Sequence, residues 1–248
     1  MREQFKEAEL ARLLVDWLRK KGEEAGAAGV VFGLSGGLDS AVVGALCRRA
    51  YPDTSLALIL PCHSNPRDLQ DAELVAQTFQ LKKKVIPLDP VYDCLLANLD
   101  PPPGEAQTGF CRMALANLKP RLRMLVLYYY ANLNNYLVVG TGNRSELAVG
   151  YFTKYGDGGV DLLPLGNLVK SQVRALASYL GVPERIILKP PSAGLWENQT
   201  DEGEMGISYA LLDRYLLEGE APPEAKEKIE EMKRRSEHKR RLPPVPPF

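Results

Sequence analysis

The stretch Gly29-Val30-Val31-Phe32-Gly33-Leu34-Ser35-Gly36-Gly37-Leu38-Asp39-Ser40 restricts what this chain can fold into more than any other. Gly29 to Leu34 has the length and unbroken apolar character of a buried strand, and Ala41 to Ala50 the pattern of the helix that follows. Glycines in the turn between them permit positive φ, so successive N–H groups can point into one cavity. The helix N-terminus adds its own free N–H groups. Ser35 and Ser40 supply hydroxyls. Asp39 supplies a carboxylate where the loop G-x-x-x-x-G-K-[ST] carries a phosphate-binding lysine. A carboxylate cannot neutralise phosphate, but it can hold Mg²⁺, which can. A glycine-rich turn with no ligand is the bland alternative, and two serines flanked by a strand and a helix argue against it.

The same alternation continues downstream. Helical spacing of Phe5, Leu10, Leu13, Leu14, Trp17 and Leu18 predicts a helix over about 3–21. Strands are expected at Ser55–Leu60, Lys84–Leu88 and Tyr136–Thr141. Helices are expected at Asp68–Leu81, Gly109–Asn132, Lys170–Leu180, Ile207–Leu217 and Pro223–Arg235, with a break at Pro101–Gly104. Gly142 to Leu168 reads as a glycine-studded loop. From about residue 242 the chain is a proline-rich extended tail. Strands alternating with helices predict an α/β fold, a Rossmann-like doubly wound parallel sheet with flanking helices, in one domain over 1–248. In such a sheet ligands bind at the carboxyl ends of the strands, where the Ser35–Ser40 loop falls. The helix around Leu122, Leu125, Val126 and Tyr128–Tyr130 is apolar around much of its circumference, which a subunit interface explains as well as an internal core.

Composition excludes several classes of function. Lysine plus arginine equals aspartate plus glutamate, 31 each, so no global field favours nucleic acid or an anionic membrane. No apolar run is long enough to span a bilayer, and the charged N-terminus has no signal-peptide core. Cys47, Cys62, Cys94 and Cys111 show no C-x-x-C spacing and read as buried apolar residues in a reducing, cytoplasmic compartment. Two histidines are too few for a His-based metal cluster.

The loop Ser35-Gly36-Gly37-Leu38-Asp39-Ser40 resembles that of the N-type ATP pyrophosphatases, which cleave ATP between the α and β phosphates. Further segments resemble the NAD synthetases within that group: Gly140-Thr141-Gly142-Asn143-Arg144-Ser145-Glu146, the run Gly150-Tyr151 through Asp157 to Leu165, Pro191–Trp196, Thr200–Gly206 and Glu237–Arg240. The resemblance spans about residues 10–241. It implies an adenine nucleotide α-hydrolase-like fold and amidation of deamido-NAD by ammonia. ATP is the co-substrate and an acyl adenylate the intermediate. The length leaves no room for an appended amidase, so the stand-alone, ammonia-dependent form is expected.

By this resemblance ATP is bound by Gly33, Leu34, Ser35, Gly36, Gly37, Leu38, Asp39, Ser40, Thr141, Lys170 and Ser192, and Mg²⁺ by Asp39 and Glu146. Glu146 has a competing local reading, since Asn143 and Glu146 fit a helix capping box. A lysine at a helix start is disfavoured by the dipole, which supports a phosphate role for Lys170 over a solvated one. Deamido-NAD is matched to Arg121, Tyr128, Lys154, Asp161, His238 and Lys239, although Tyr128 could be packing. Arg121 and Arg123 lie two apart on a helix and face different ways, so Arg123 is expected at the surface or an interface. Met113 stands where the family often has a phenylalanine. Asp157 is a candidate to bind or deprotonate ammonium. The family also implies a homodimer with the dinucleotide site at the interface. A tRNA-modifying pyrophosphatase would need a basic surface or paired cysteines; a non-catalytic ATP sensor should have lost Asp39, Glu146 or the 154–161 segment.

Overall fold

The computed structural model describes residues 6–99, 109–196 and 199–248. The start of the first expected helix at 3–5 and the Pro101–Gly104 break lie outside the described residues. Helix α1 (Glu7–Glu24) leads to β1 (Gly29–Gly33), α2 (Leu38–Ala50), β2 (Ser55–Ile59), α3 (Pro66–Thr78) and β3 (Lys83–Val85). Then come α4 (Asp89–Leu99), α5 (Gly109–Asn134), β4 (Tyr136–Val139), α6 (Arg144–Val149) and α7 (Lys170–Leu180). The chain finishes with α8 (Glu184–Ile187), α9 (Asp201–Met205), α10 (Tyr209–Glu218), α11 (Pro223–Arg235), α12 (Glu237–Arg240) and a non-helical tail.

The described strands form one parallel sheet in the order β3-β2-β1-β4. Alternation along each strand sends side chains into two cores. Val30 and Phe32 of β1 pack with α1, α2 and α7, while Val31 joins Leu56 and Leu58 of β2 and the apolar face of α4 and α5. Helices therefore cover both faces, and β1, β2 and β4 are largely apolar for that reason, while the edge strand β3 carries Lys83 and Lys84. A third cluster, around Val149, Met205, Tyr209, Leu212 and Ile229, packs α6, α10 and α11 together beyond β4. From β1 the chain moves to β2 and β3 on one side and reaches β4 on the other. Such a reversal opens a crevice at the carboxyl ends of β1 and β4.

Three expectations about elements and cysteines need correction. The third strand is Lys83–Val85 and stops short of the expected Leu88. The 142–168 segment is not wholly a loop, because its capping box nucleates α6. Cys47 and Cys62 are buried, but Cys94 is exposed and Cys111 half-buried. Helix α4 had no reading of its own. Among the described residues no helix is long and apolar enough to cross a membrane.

Candidate active site

The turn after β1 is stitched by its own serines. Ser40 Oγ donates to the Gly37 carbonyl at 3.0 Å and lies 3.1 Å from Ser35 Oγ; Ser35 Oγ accepts the Gly37 N–H at 3.2 Å. Gly36 has φ +79°, and a Cβ there would fall 2.3 Å from the Asp68 carbonyl of α3. Only glycine fits that combination of left-handed backbone and close approach. The turn delivers Asp39 into the first turn of α2, facing the loop that leaves β4.

From the β4 side, Asn143 and Glu146 form the reciprocal capping box of α6. Glu146 makes the cap and has an oxygen left over for a second partner. One carboxylate oxygen accepts the Asn143 N–H at 3.1 Å, and the other accepts the Lys170 ammonium at 3.1 Å. Lys170 Nζ also donates to Asp39 Oδ2 at 2.6 Å, and Asn143 Nδ2 to Asp39 Oδ1 at 2.9 Å. Lys170 is only 3% exposed, so the solvated reading of this residue fails. Its helix start is capped from α10, where the buried Asp213 accepts the Ser171 N–H at 2.7 Å and the Ser145 hydroxyl at 2.6 Å. One carboxylate thus fixes α6 and α7 together, and with them Glu146 and Lys170.

The cluster extends to groups the sequence reading did not assign. Tyr209 Oη donates within reach of Glu146 (3.2 Å) and Asp201 (3.0 Å), and Tyr151 Oη lies 3.1 Å from Asp201. Asp201 lay inside the quoted Thr200–Gly206 motif, and Tyr151 inside the run from Gly150, so a signal existed for both. Three carboxylates, Asp39, Glu146 and Asp201, face one ammonium. Burial pushes Glu146 up to about 7, with Asp39 acting the same way and Lys170 opposing. Burial also raises Asp201, against Lys170. Burial alone would lower Lys170, yet Asp39 and Glu146 outweigh it and hold its ammonium above the ordinary value. This surplus of hard oxygen donors, already gripping a cation, fits Mg²⁺, which takes one or two carboxylates and completes its shell with water and phosphate.

Beside this cluster lies a cavity of about 300 Å³ lined by Thr141, Glu146, Phe152, Asp157, Lys239 and Arg240, among others. Asp157 sits in this concave place, ringed by protein yet open to water; burial raises its carboxyl, against the Thr153 N–H that it accepts at 2.9 Å. Lys239 Nζ donates to the Gly150 and Phe152 carbonyls at 2.8 and 2.9 Å, and Lys154 Nζ to the His238 carbonyl at 2.7 Å. The Glu237–Arg240 turn is thereby clamped to the 150–157 segment. Arg121 is exposed and reaches the Lys154 carbonyl at 3.5 Å. Tyr128 donates to Asp161 at 3.0 Å, and Asp161 also accepts the Val138 N–H at 2.8 Å. Ser192 is exposed, its hydroxyl accepting the Gly194 N–H of its own loop, and it joins neither group. The loop stem is nevertheless tied to the phosphate-loop side, since Lys189 Nζ lies 2.7 Å from Asp68 and 2.6 Å from Asp71. Arg123 overturns its expectation: it is packed inward, donating to the Leu60 carbonyl at 3.0 Å and Ser64 Oγ at 3.3 Å.

Comparison with known proteins adds to this geometry. The description of the NAD synthase family matches residues 10–243. The NH(3)-dependent NAD(+) synthetase of Carboxydothermus hydrogenoformans is 56% identical over 94% of this chain and 95% of its own. Among solved structures, the NMN synthetase from Francisella tularensis is similar with a TM-score of 0.91 and 41% identity, covering 99% of this chain and 100% of that one. The NH3-dependent NAD synthetase from Campylobacter jejuni is similar with a TM-score of 0.78 and 31% identity, covering 98% and 99%.

Proposed function

The chain belongs to the NAD synthase family, and from that premise we propose how its own residues carry the ATP-dependent amidation of deamido-NAD by ammonia. The observation that carries the reading is the convergence of Asp39, Glu146 and Lys170 at the mouth of the Ser35–Ser40 loop. The nicotinate carboxylate attacks the α-phosphate of ATP and pyrophosphate leaves. Ammonia then adds to the acyl adenylate and AMP departs with one former carboxylate oxygen. Most of the acceleration in such a reaction comes from positioning and from stabilising charge.

Gly33 to Ser40 and the α2 N-terminus hold the departing pyrophosphate, with Lys170 as its counter-charge. Asp39 and Glu146 would hold Mg²⁺, which when bound offsets charge on the phosphate oxygens. Thr141 and Ser192 contact the nucleotide, Ser192 once its loop turns inward. Asp157, raised by burial, is suited to take the proton that ammonium must lose. Arg121, Tyr128, Lys154, Asp161, His238 and Lys239 receive the acceptor. The exposed row Leu125, Tyr129 and Leu133 on α5, 61%, 59% and 64% exposed, supports a homodimer that completes this open end. The shared cores support a single domain over 1–248 with the tail outside it, and buried thiols at Cys47 and Cys62 fit a cytoplasmic setting.

A second reading has its own support: the Francisella neighbour, more similar than the Campylobacter one, is named an NMN synthetase. On that reading the acceptor is nicotinate mononucleotide. Both are tested by measuring AMP and pyrophosphate release with Mg²⁺ and ammonium, giving each acceptor in turn. Release dependent on the dinucleotide, with a higher kcat/KM than for the mononucleotide, supports the main reading; the reverse ratio supports the second. ATP turnover indifferent to either acceptor would sink both.

A further inference from the structure

Helix α5 carries two inward-packed cations one turn apart, Lys119 and Arg123, and neither meets a carboxylate among the described residues. Lys119, 7% exposed, donates to the Leu195 carbonyl at 2.9 Å and lies 5.7 Å from the centre of the Tyr92 ring. Arg123 uses Nε and Nη2 on the Leu60 carbonyl and Ser64 Oγ. A guanidinium has five N–H donors and an ammonium three, so most of the donors of this pair have no partner among the described residues. No described side-chain nitrogen or oxygen sealed from water lacks a partner. The free edge of the guanidinium is therefore not walled in.

Burial lowers both Lys119 and Arg123 from their ordinary values, and the groups that oppose it, Cys62 and Asp89 for Lys119 and Cys62, Asp157 and Asp68 for Arg123, offset the lost hydration only in part. A bound anion would restore it. The position narrows the choice of anion. Leu60 follows β2 at its carboxyl end, beside the turn whose Leu34 N–H bonds to Leu58, and both Asp68 and Asp157 lie within electrostatic reach of Arg123. The pair comes from the sheet face opposite α2 and α7, and Arg123 reaches Leu60 past the carboxyl end of β2, so these cations approach the strand ends from the side opposite α2 and its Asp39. The β and γ phosphates already have the Ser35–Ser40 loop, and the acceptor has Arg121 and Lys154 at the outer end. The phosphate between them has no donors from either set.

We propose that Lys119 and Arg123 form an anion subsite for the α-phosphate of the nucleotide, the phosphoryl group that leaves as AMP. This rests on the reading of the chain as an adenylate-forming enzyme. The subsite holds the phosphorus that is attacked while Asp39 and Glu146 hold the cation, so charge gathering on its oxygens meets fixed donors.

The test is isothermal titration of AMP and of inorganic pyrophosphate, each with Mg²⁺, into the wild type and the variants K119M, R123M and R123K. Both methionine variants should weaken AMP at least about tenfold, as loss of a charge-assisted hydrogen bond does, with pyrophosphate affinity within about threefold of wild type. R123K should keep more AMP affinity than R123M. Without ligand, K119M and R123M should melt at or above the wild-type temperature, because they remove an uncompensated buried charge. Unchanged AMP binding in both methionine variants, or equal losses of AMP and pyrophosphate binding, overturns the proposal. So does a methionine variant that melts far below wild type, which would give that cation a structural part. A wild type that binds neither ligand sinks the underlying reading instead.

Discussion

Around the Ser35–Ser40 loop, the proposed nucleotide end of the crevice, the charged groups are buried or half-buried and bonded to one another, whereas at the proposed acceptor end Arg121, Asp161 and His238 stand exposed. Lys170 is pinned between two carboxylates and its helix is capped by a third from α10. Arg121 reaches only a backbone carbonyl at 3.5 Å. The contrast separates two ways of making a site. The first end is finished by the chain's own packing, where low dielectric makes each charge consequential. The second is a set of exposed groups that, on the function proposed above, a substrate or another subunit completes.

The comparison breaks most visibly under matched isosteric changes. Asp39→Asn should lower turnover on the order of a thousandfold, since it removes a charge from a dry, preorganised site. Asp161→Asn at the open end should instead raise KM for the acceptor by about tenfold and leave kcat nearly intact. Equal effects on AMP formation would erase the distinction between the two ends.

Asp157 lies at the junction. Asp157→Asn should reduce kcat/KM for ammonia by about a hundredfold, the usual scale for a lost general base. Burial raises the Asp157 carboxyl, so its proton-accepting form disappears as pH falls through a value above the ordinary carboxylate range. The wild-type rate should therefore lose its acid limb at higher pH than a free carboxylate would, and the asparagine variant should lack that limb.

Smaller effects probe how each end is held. Leu125→Glu on the exposed α5 row should shift gel filtration toward the monomer and lower activity by about tenfold, with the melting temperature little changed. Asp213→Asn should lower stability by about 2 kcal/mol in urea unfolding, because it weakens the shared cap of α6 and α7. A comparable loss from Leu125→Glu would mean that the open row is part of the fold.

The legibility of the sequence follows the same division. Strands β1, β2 and β4 and most of the longer helices were readable because apolar period reports burial, and Lys170–Leu180 and Pro223–Arg235 have the limits the pattern predicts, whereas α4 went unread and β3 shares only Lys84 and Val85 with the strand expected at Lys84–Leu88. Helices α6, α8, α9 and α12 are too short to show a period; caps and tertiary contacts make them. Asp39 and Glu146 stand in recognisable motifs and Lys170 at an expected helix start, yet only the fold shows that both carboxylates meet this lysine. Asp213 and Tyr209 reach their partners across 42 to 68 and 63 residues, a relation that no local pattern encodes. Spacing correctly turned Arg121 and Arg123 to different sides but could not say which side faces in. The cap of Glu146 does not use up its carboxylate, because one oxygen takes the Asn143 N–H and the other stays available to Lys170.

The central claim is that ATP is opened at its α-phosphate by the acceptor carboxylate. Deamido-NAD labelled with ¹⁸O in the nicotinate carboxylate, turned over with ATP, Mg²⁺ and ammonium, tests it by mass spectrometry of the products. The account predicts one labelled oxygen in AMP and none in pyrophosphate. Unlabelled AMP, or ADP with labelled inorganic phosphate, would contradict it.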